Sequence, residues 1–177
     1  LIASCRHLGI NMSRPQLADV RVRSAIAEAV DWERLNDTVY HGIDRQAVSD
    51  IFPGSWAAPR LPPYRHDVND AKKLLADAGW RAGSDGVLHK GALAMHLSVY
   101  ATTGHQENTE SQVLIQSMLR EVGIDVAVRN YPGSYLFAGD GPLYTGKYDL
   151  EWSIETNGPD PDNSGNWNGA FIPPRGA

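Results

Sequence analysis

Six histidines, one cysteine and twenty-one acidic side chains are the groups in this 177-residue chain that could ligate a metal or attack a substrate. His7, His41, His66, His89, His96 and His105 form no His-x-x-x-His pair, and none stands beside a second cysteine. Conventional zinc sites draw their donors from such closely spaced pairs, so a zinc ligand set is missing. Asp160-Pro161-Asp162-Asn163 has the composition of a cation loop but lacks the glycine and terminal glutamate of an EF-hand. Turn and capping roles suit it better. Gly54-Ser55 and Gly133-Ser134 lack the second glycine of a nucleophile elbow. Cys5 and His7 would share one face of a strand, with no orienting partner evident for the imidazole. Glu151 and Glu155 stand four apart on an expected strand, too far to couple strongly. Gly139-Asp140-Gly141-Pro142 puts proline where a phosphate loop needs a backbone N–H. The residues thus assemble no catalytic group, no metal site and no cofactor site.

Aromatic and amide side chains concentrate instead in the expected loops: Trp56, Tyr64, Tyr131, Tyr135, Trp152, Asn157, Trp167 and Asn168. Trp and Tyr offer large contact area with few rotors, and Asn both donates and accepts, which suits a binding surface better than a reaction centre. For Trp152 and Trp167 a core role and a ligand-facing role both stay open.

Alternating strands and helices must position these groups. Residues 7–12 read as extended, and Arg14-Pro15 breaks the element. Asp19 is the N-cap of a helix from Val20, with Val22, Ile26, Ala29 and Val30 on one face. Asp31 opens a second helical stretch through Tyr40, with Gly42 as its stop. Pro53, Gly54, Pro59, Pro62 and Pro63 make residues 51–64 irregular, and the length of that segment favours a functional role. Asp67 caps a helix over residues 68–78, which Gly79 ends and on which Trp80 folds back. Turns at Asp85-Gly86 and Lys90-Gly91 flank Val87-Leu88. Residues 93–100 alternate strictly and read as one strand. A long helix over residues 105–122, stopped by Gly123, leads to alternating residues 124–129, so the two strands form a parallel pair with a right-handed crossover. Tyr135-Leu136-Phe137 suggests a short helical turn, residues 148–154 a third strand, and residues 157–177 are rich in Gly, Pro, Asn and Asp. The expected class is α/β: a mixed sheet flanked by helices, with ligand bound where loops leave the carboxyl ends of the strands.

A hydrophobic fraction of 42% with 21% charged residues describes a folded globular chain. The net charge of -5 and the absence of any basic stripe argue against nucleic acid as a partner. No apolar run is long enough to span a bilayer as a helix, and no complete signal peptide is present. Leu1-Ile2-Ala3-Ser4-Cys5 looks like a lipoprotein cleavage box without its upstream apolar segment, so Cys5 is read as an ordinary strand residue.

Several blocks together resemble the bacterial extracellular solute-binding proteins of family 5, which serve oligopeptide, dipeptide and nickel ABC importers. Residues 19–31, Asp-Val-Arg-Val-Arg-Ser-Ala-Ile-Ala-Glu-Ala-Val-Asp, carry the strongest likeness, preceded by Gly9-Ile10-Asn11. Pro53-Gly54-Ser55-Trp56, residues 64–80 ending in Ala78-Gly79-Trp80, Gly86-Val87, the 111–122 helix with Gly123-Ile124-Asp125-Val126, Tyr148-Asp149-Leu150 and Pro159-Asp160-Pro161-Asp162 follow in order. The resemblance covers nearly the whole chain and about a third of a typical member. It implies a periplasmic-binding-protein-like lobe of type II, with residues 1–177 as a single partial domain, the second (C-terminal) lobe of two, its final segment truncated. It further implies a non-enzymatic role: binding peptides or similar small solutes together with the missing N-terminal lobe, for delivery to an ABC permease. The implied location is periplasmic or extracytoplasmic, with a lipoprotein anchor in the full-length protein as a variant. By the resemblance, Asn157, Asp160, Trp167, Trp56 and Tyr135 are the ligand-facing candidates. In peptide-binding members an Asp near this point pairs with the peptide amine. Here the position falls on Asn157 or Gly158, and Glu155 is two residues out of register, so acylated peptides, sugars, opines or metal chelates join the candidate ligands. A ligand-sensing regulatory module of the same lobe architecture is the alternative, and a hydrolase acting through Cys5 or a histidine is a third reading.

Overall fold

The computed structural model describes residues 3–157 and residue 162. In chain order the elements are β1 (Ala3–Ile10), α1 (Val20–Ala29), α2 (Trp32–Tyr40), α3 (Val68–Asp77), β2 (Arg81–Ala82), β3 (Leu88–Lys90), β4 (Leu93–Ala94), β5 (His96–Thr102), α4 (Gln106–Glu121), β6 (Asp125–Tyr131), α5 (Gly133–Leu136) and β7 (Leu150–Asn157). A four-stranded sheet runs β1-β7-β5-β6 and a small sheet runs β2-β3-β4. β5 is parallel to both β6 and β7, whereas β1 is antiparallel to β7, so the main sheet is mixed, as the sequence pattern implied.

Local chemistry sets the helix ends. Asp19 accepts from the Arg21 amide at 2.9 Å, Asp31 from the Arg34 amide at 2.9 Å, and Asp67 from the Asn69 and Asp70 amides at 3.0 Å each. Each carboxylate satisfies donors that the first helical turn leaves without partners. The Arg21 guanidinium and amide beside Asp19 hold its carboxyl down at about 2. α3 ends as the sequence suggested: Gly79 takes a φ of +92°, its N–H donates to Ala76, and the Trp80 N–H donates to Leu75 while the indole is buried.

Val22 and Ile26 of α1, Ala71 and Leu75 of α3, and Ile115 and Leu119 of α4 pack with Leu97, Val99, Val126, Leu150 and Trp152 from the main sheet. Burying each large apolar side chain contributes roughly 1.5–3 kcal/mol relative to exposure. This helical layer covers one face of the sheet only; the 132–149 connection crosses the other face, where Tyr135 packs on Tyr131.

Three boundaries differ from the sequence expectation. The first strand is Ala3–Ile10 rather than residues 7–12, because Asn11 already turns away to donate from Nδ2 to the carbonyls of Gly146 and Tyr148. The last strand correspondingly starts at Leu150, not Tyr148, and runs on to Asn157. Residues 93–100 are not one strand: the chain changes sheets at Met95. Its N–H donates to the Leu88 carbonyl at 2.8 Å in the small sheet, and its own carbonyl accepts from Asp125 at 3.0 Å at the entry to β6. The apolar alternation continues unbroken through this change of partners, so periodicity does not reveal it.

Candidate functional site

The pairing register sorts the residues of the main sheet. Cys5, His7 and Gly9 stand opposite Glu155, Ser153 and Glu151, and Tyr100 and Thr102 lie beside Arg129 and Tyr131. Because Tyr100 also pairs with Glu151, all of these belong to the face away from the helical layer. The β5–β7 ladder consists of Val99–Leu150 and Tyr100–Glu151. Beyond it β7 stays paired with β1 as far as Asn157, so β5 and β7 part at their carboxyl ends. At β5 the winding also reverses: α4 leads to β6 on one side, and the α5 connection leads to β7 on the other. In open α/β sheets such a switch point is where ligands bind.

A crevice of about 210 Å³ opens there, lined by Tyr100 and Thr102 of β5, His105 and Asn108 at the start of α4, Leu136, Phe137 and Leu143 from the crossing connection, and residues 151–154 of β7. Asn108 is braced by donating to the Thr102 carbonyl and hydroxyl. Tyr100 stacks on Tyr131 at 5.7 Å between centroids, and Tyr131 packs on Tyr135 at 5.2 Å, so three aromatic rings run along this face.

One charged group stands in the wall. Glu151 Oε1 lies 3.6 Å from His7 Nε2 and 3.4 Å from the Ser153 hydroxyl, which itself lies 3.1 Å from His7 Nε2. The Glu151 carboxylate raises the His7 pKa above its ordinary value against the opposing effect of burial, and Glu155 and the Cys5 backbone add to the rise. Burial and the Glu151 charge push the Tyr148 phenol up. The orienting partner that the sequence did not show for His7 is therefore Glu151, with Ser153. One imidazole nitrogen serves both neighbours, unlike a catalytic triad, where the two ring nitrogens divide the base and orienter contacts. Burial, followed by the carboxylates of Asp50, Glu155 and Asp44, raises the Cys5 pKa, so its sulfur stays a protonated and weakly nucleophilic thiol.

The five ligand-facing candidates fall in different places. Tyr135 is 53% exposed on α5, next to the crevice-lining Leu136 and Phe137. Asn157 is the last residue of β7, and its backbone pairs with Ala3. Asp160 and Trp167 lie outside the described residues. Trp56 is 82% exposed in the proline-rich segment and lines a separate cavity of about 380 Å³ with Gln46, Val48, Pro53 and Arg60, not the switch-point crevice. Trp152 is resolved in favour of the core: it is 2% exposed and stacks on Trp32 at 6.4 Å, although it also forms part of the crevice wall. Its indole N–H has no hydrogen-bond partner among the described residues. Tyr100, Asn108, His105 and the Glu151–His7 pair were not singled out as ligand contacts from the sequence, because only strand register brings His7 and Glu151 together across the 143 positions between them. Among the described residues, no group of three or more His, Cys, Asp or Glu side chains converges to hold a metal ion, and no helix is long and apolar enough to cross a membrane.

The sequence model of the bacterial extracellular solute-binding proteins, family 5 (middle region), matches residues 2–171. The oligopeptide-binding protein AppA of Bacillus subtilis is 28% identical over 130 residues, which are 71% of this chain and 24% of AppA. The solved structure of AppA with a nonapeptide superposes with a TM-score of 0.85 at 24% identity, covering 93% of this chain and 33% of AppA. NikA of Brucella suis in complex with Fe(III)-EDTA gives a TM-score of 0.81 at 26% identity, covering 96% of this chain and 34% of NikA. The chain thus has the mixed α/β fold of the type II periplasmic binding proteins and spans a quarter to a third of the length of these relatives.

Proposed function

Because the chain belongs to the bacterial extracellular solute-binding proteins of family 5, we propose that it is the second ligand-binding lobe of such a protein, gripping a small solute together with a first lobe elsewhere in the same polypeptide. The observation that carries this reading is the parting of β5 and β7 at a point where the winding reverses, which leaves a crevice walled by aromatic and amide side chains. In this reading the solute is peptide-like, the protein works outside the cytoplasm, and closure of the two lobes is the signal that an ABC permease reads. This reading includes no chemical step: the Cys5 thiol is protonated, and the His7–Glu151 pair is arranged as a contact, not as a base with an orienter.

Half a cleft supplies half of the contacts, so binding belongs to the two-lobe protein. Native purification of the full-length protein followed by denaturation and mass spectrometry is expected to release a stoichiometric small solute. A protein that carries no solute, and that no peptide or chelate library stabilises against heat, would overturn the reading. In the same protein, Asn157→Ala and Trp167→Ala are expected to weaken solute binding at least about tenfold each, the loss of one well-packed polar or aromatic contact; unchanged titration curves reject these two assignments.

A further inference from the structure

The crevice contains a charge that the reading above does not use. Glu151 occupies the last rung of the β5–β7 ladder, where the strands begin to part, and is the one acidic residue among those that line the cavity. Its side chain lies flat over Gly9, since a β-carbon at that position would come within 2.6 Å of Glu151 Cγ. On that face it is flanked by the His7 imidazole and the Ser153 hydroxyl. Tyr100, Leu136, Phe137, Leu143, Trp152 and Ile154 give the remaining wall its apolar and aromatic part, and Thr102, His105 and Asn108 its neutral polar part. The volume of about 210 Å³ is below the range of whole-ligand clefts, so the crevice takes one side chain or head group. One carboxylate at the end of an aromatic-walled slot matches a cation on an apolar stem, which gains from charge pairing and from the ring faces together.

We propose that this crevice is a cation-selecting subsite, in which a guanidinium or primary ammonium group of the solute docks on Glu151 and His7 competes for the same carboxylate. The proposal rests on the solute-binding reading and names the chemistry of the ligand. The titratable and charged groups facing the pair are Cys5 on β1, Tyr100 on β5, Glu155 on β7 and Tyr148 just before it, with His105 at the start of α4 and Arg129 two strands away on the same face, roughly 10 Å off. Of these, only His7 is a cation within ion-pairing distance of Glu151 among the described residues. A bound solute cation therefore meets a competitor when His7 is protonated and none when it is neutral.

The test is NMR of the full-length protein labelled with [13Cε1]histidine, with His7 assigned by its absence in His7→Gln. The probes are n-butylguanidinium, whose charge is constant over the accessible pH range, its neutral counterpart n-pentanol, and methyl α-D-glucoside. Butylguanidinium is expected to shift the His7 signal saturably and pentanol is not, with affinity falling as pH drops through the His7 titration. Glu151→Gln, a neutral isostere, is expected to weaken butylguanidinium at least about tenfold, the loss of one charge-assisted contact, and His7→Gln to flatten the pH profile. Equal binding of pentanol, preferential binding of the glucoside, no saturable shift, or unchanged affinity in Glu151→Gln each overturns the proposal. If in those cases the co-purified natural solute still binds the protein, the solute-binding reading stands and only the cation subsite falls. If no solute binds at all, both fall.

Discussion

Gly9 faces Glu151 across the β1–β7 ladder, and the missing β-carbon is what lets the glutamate lie across β1 and reach His7. Gly9→Ala is expected to push Glu151 aside, destabilising the fold by about 1–3 kcal/mol through overpacking and returning the His7 pKa toward its ordinary 6.5. Histidine NMR against pH, alongside thermal unfolding, reads both effects. The raised pKa of His7 also makes a stability statement. The folded protein binds this proton more tightly than the unfolded chain, so the contribution is fully present below pH 6.5 and is lost as pH rises through the higher folded value. The stability difference between the wild type and His7→Gln, measured by urea unfolding, is accordingly expected to be largest at pH 5.5–6 and to shrink toward pH 8. Of this cluster the sequence revealed only that Cys5 and His7 share a strand face. The partners Glu151 and Ser153 come from the register of two strands at opposite ends of the chain, and no local pattern encodes it.

What is local was legible at the scale of the elements. The caps Asp19, Asp31 and Asp67 act within three residues of themselves, and Gly79 with Trp80 closes α3 by bonds to the turn just before it. The split at Met95 was not legible, because hydrophobic alternation records which side of the strand is buried and not which strand lies alongside. The role of Asp149 was also hidden behind a strand assignment. It is 7% exposed and accepts from Arg14 Nε at 2.6 Å, from the Ser98 amide at 2.9 Å and from the Ser98 hydroxyl at 2.7 Å. One carboxylate thereby ties the loop after β1 to β5 and to the start of β7. Asp149→Ala is expected to cost about 1–3 kcal/mol, since it leaves the Ser98 amide of β5 without its acceptor and releases the half-exposed Arg14, and a drop in the urea midpoint with an unchanged slope checks it.

For the molecule as a whole, the α/β class and a crevice at the carboxyl ends of the strands follow from element order, whereas the lateral order of the strands does not. Placing β7 between β1 and β5, not outside β6, is what creates the reversal and opens the crevice. Trp56, in the proline-rich segment, lines a different cavity from Tyr135's neighbours Leu136 and Phe137, although residue type alone had grouped Trp56 and Tyr135 as one surface. A related consequence comes from Met95, whose two backbone groups are committed to different sheets and whose side chain is fully buried. Gly123 reinforces the weld by accepting from the Leu88 amide at 2.9 Å. The β2–β3–β4 hairpin is therefore not a hanging flap but a rigid outrigger of the main sheet. Since Cys5 is a half-buried, protonated thiol, a maleimide dye should go selectively to Ser84→Cys, an exposed position at the tip of that outrigger. Its anisotropy decay is expected to follow the tumbling of the entire body; a dominant nanosecond component from segmental motion would show the weld to be loose. Mounted so, the dye becomes a compass needle for the whole unit, turning only when the unit turns.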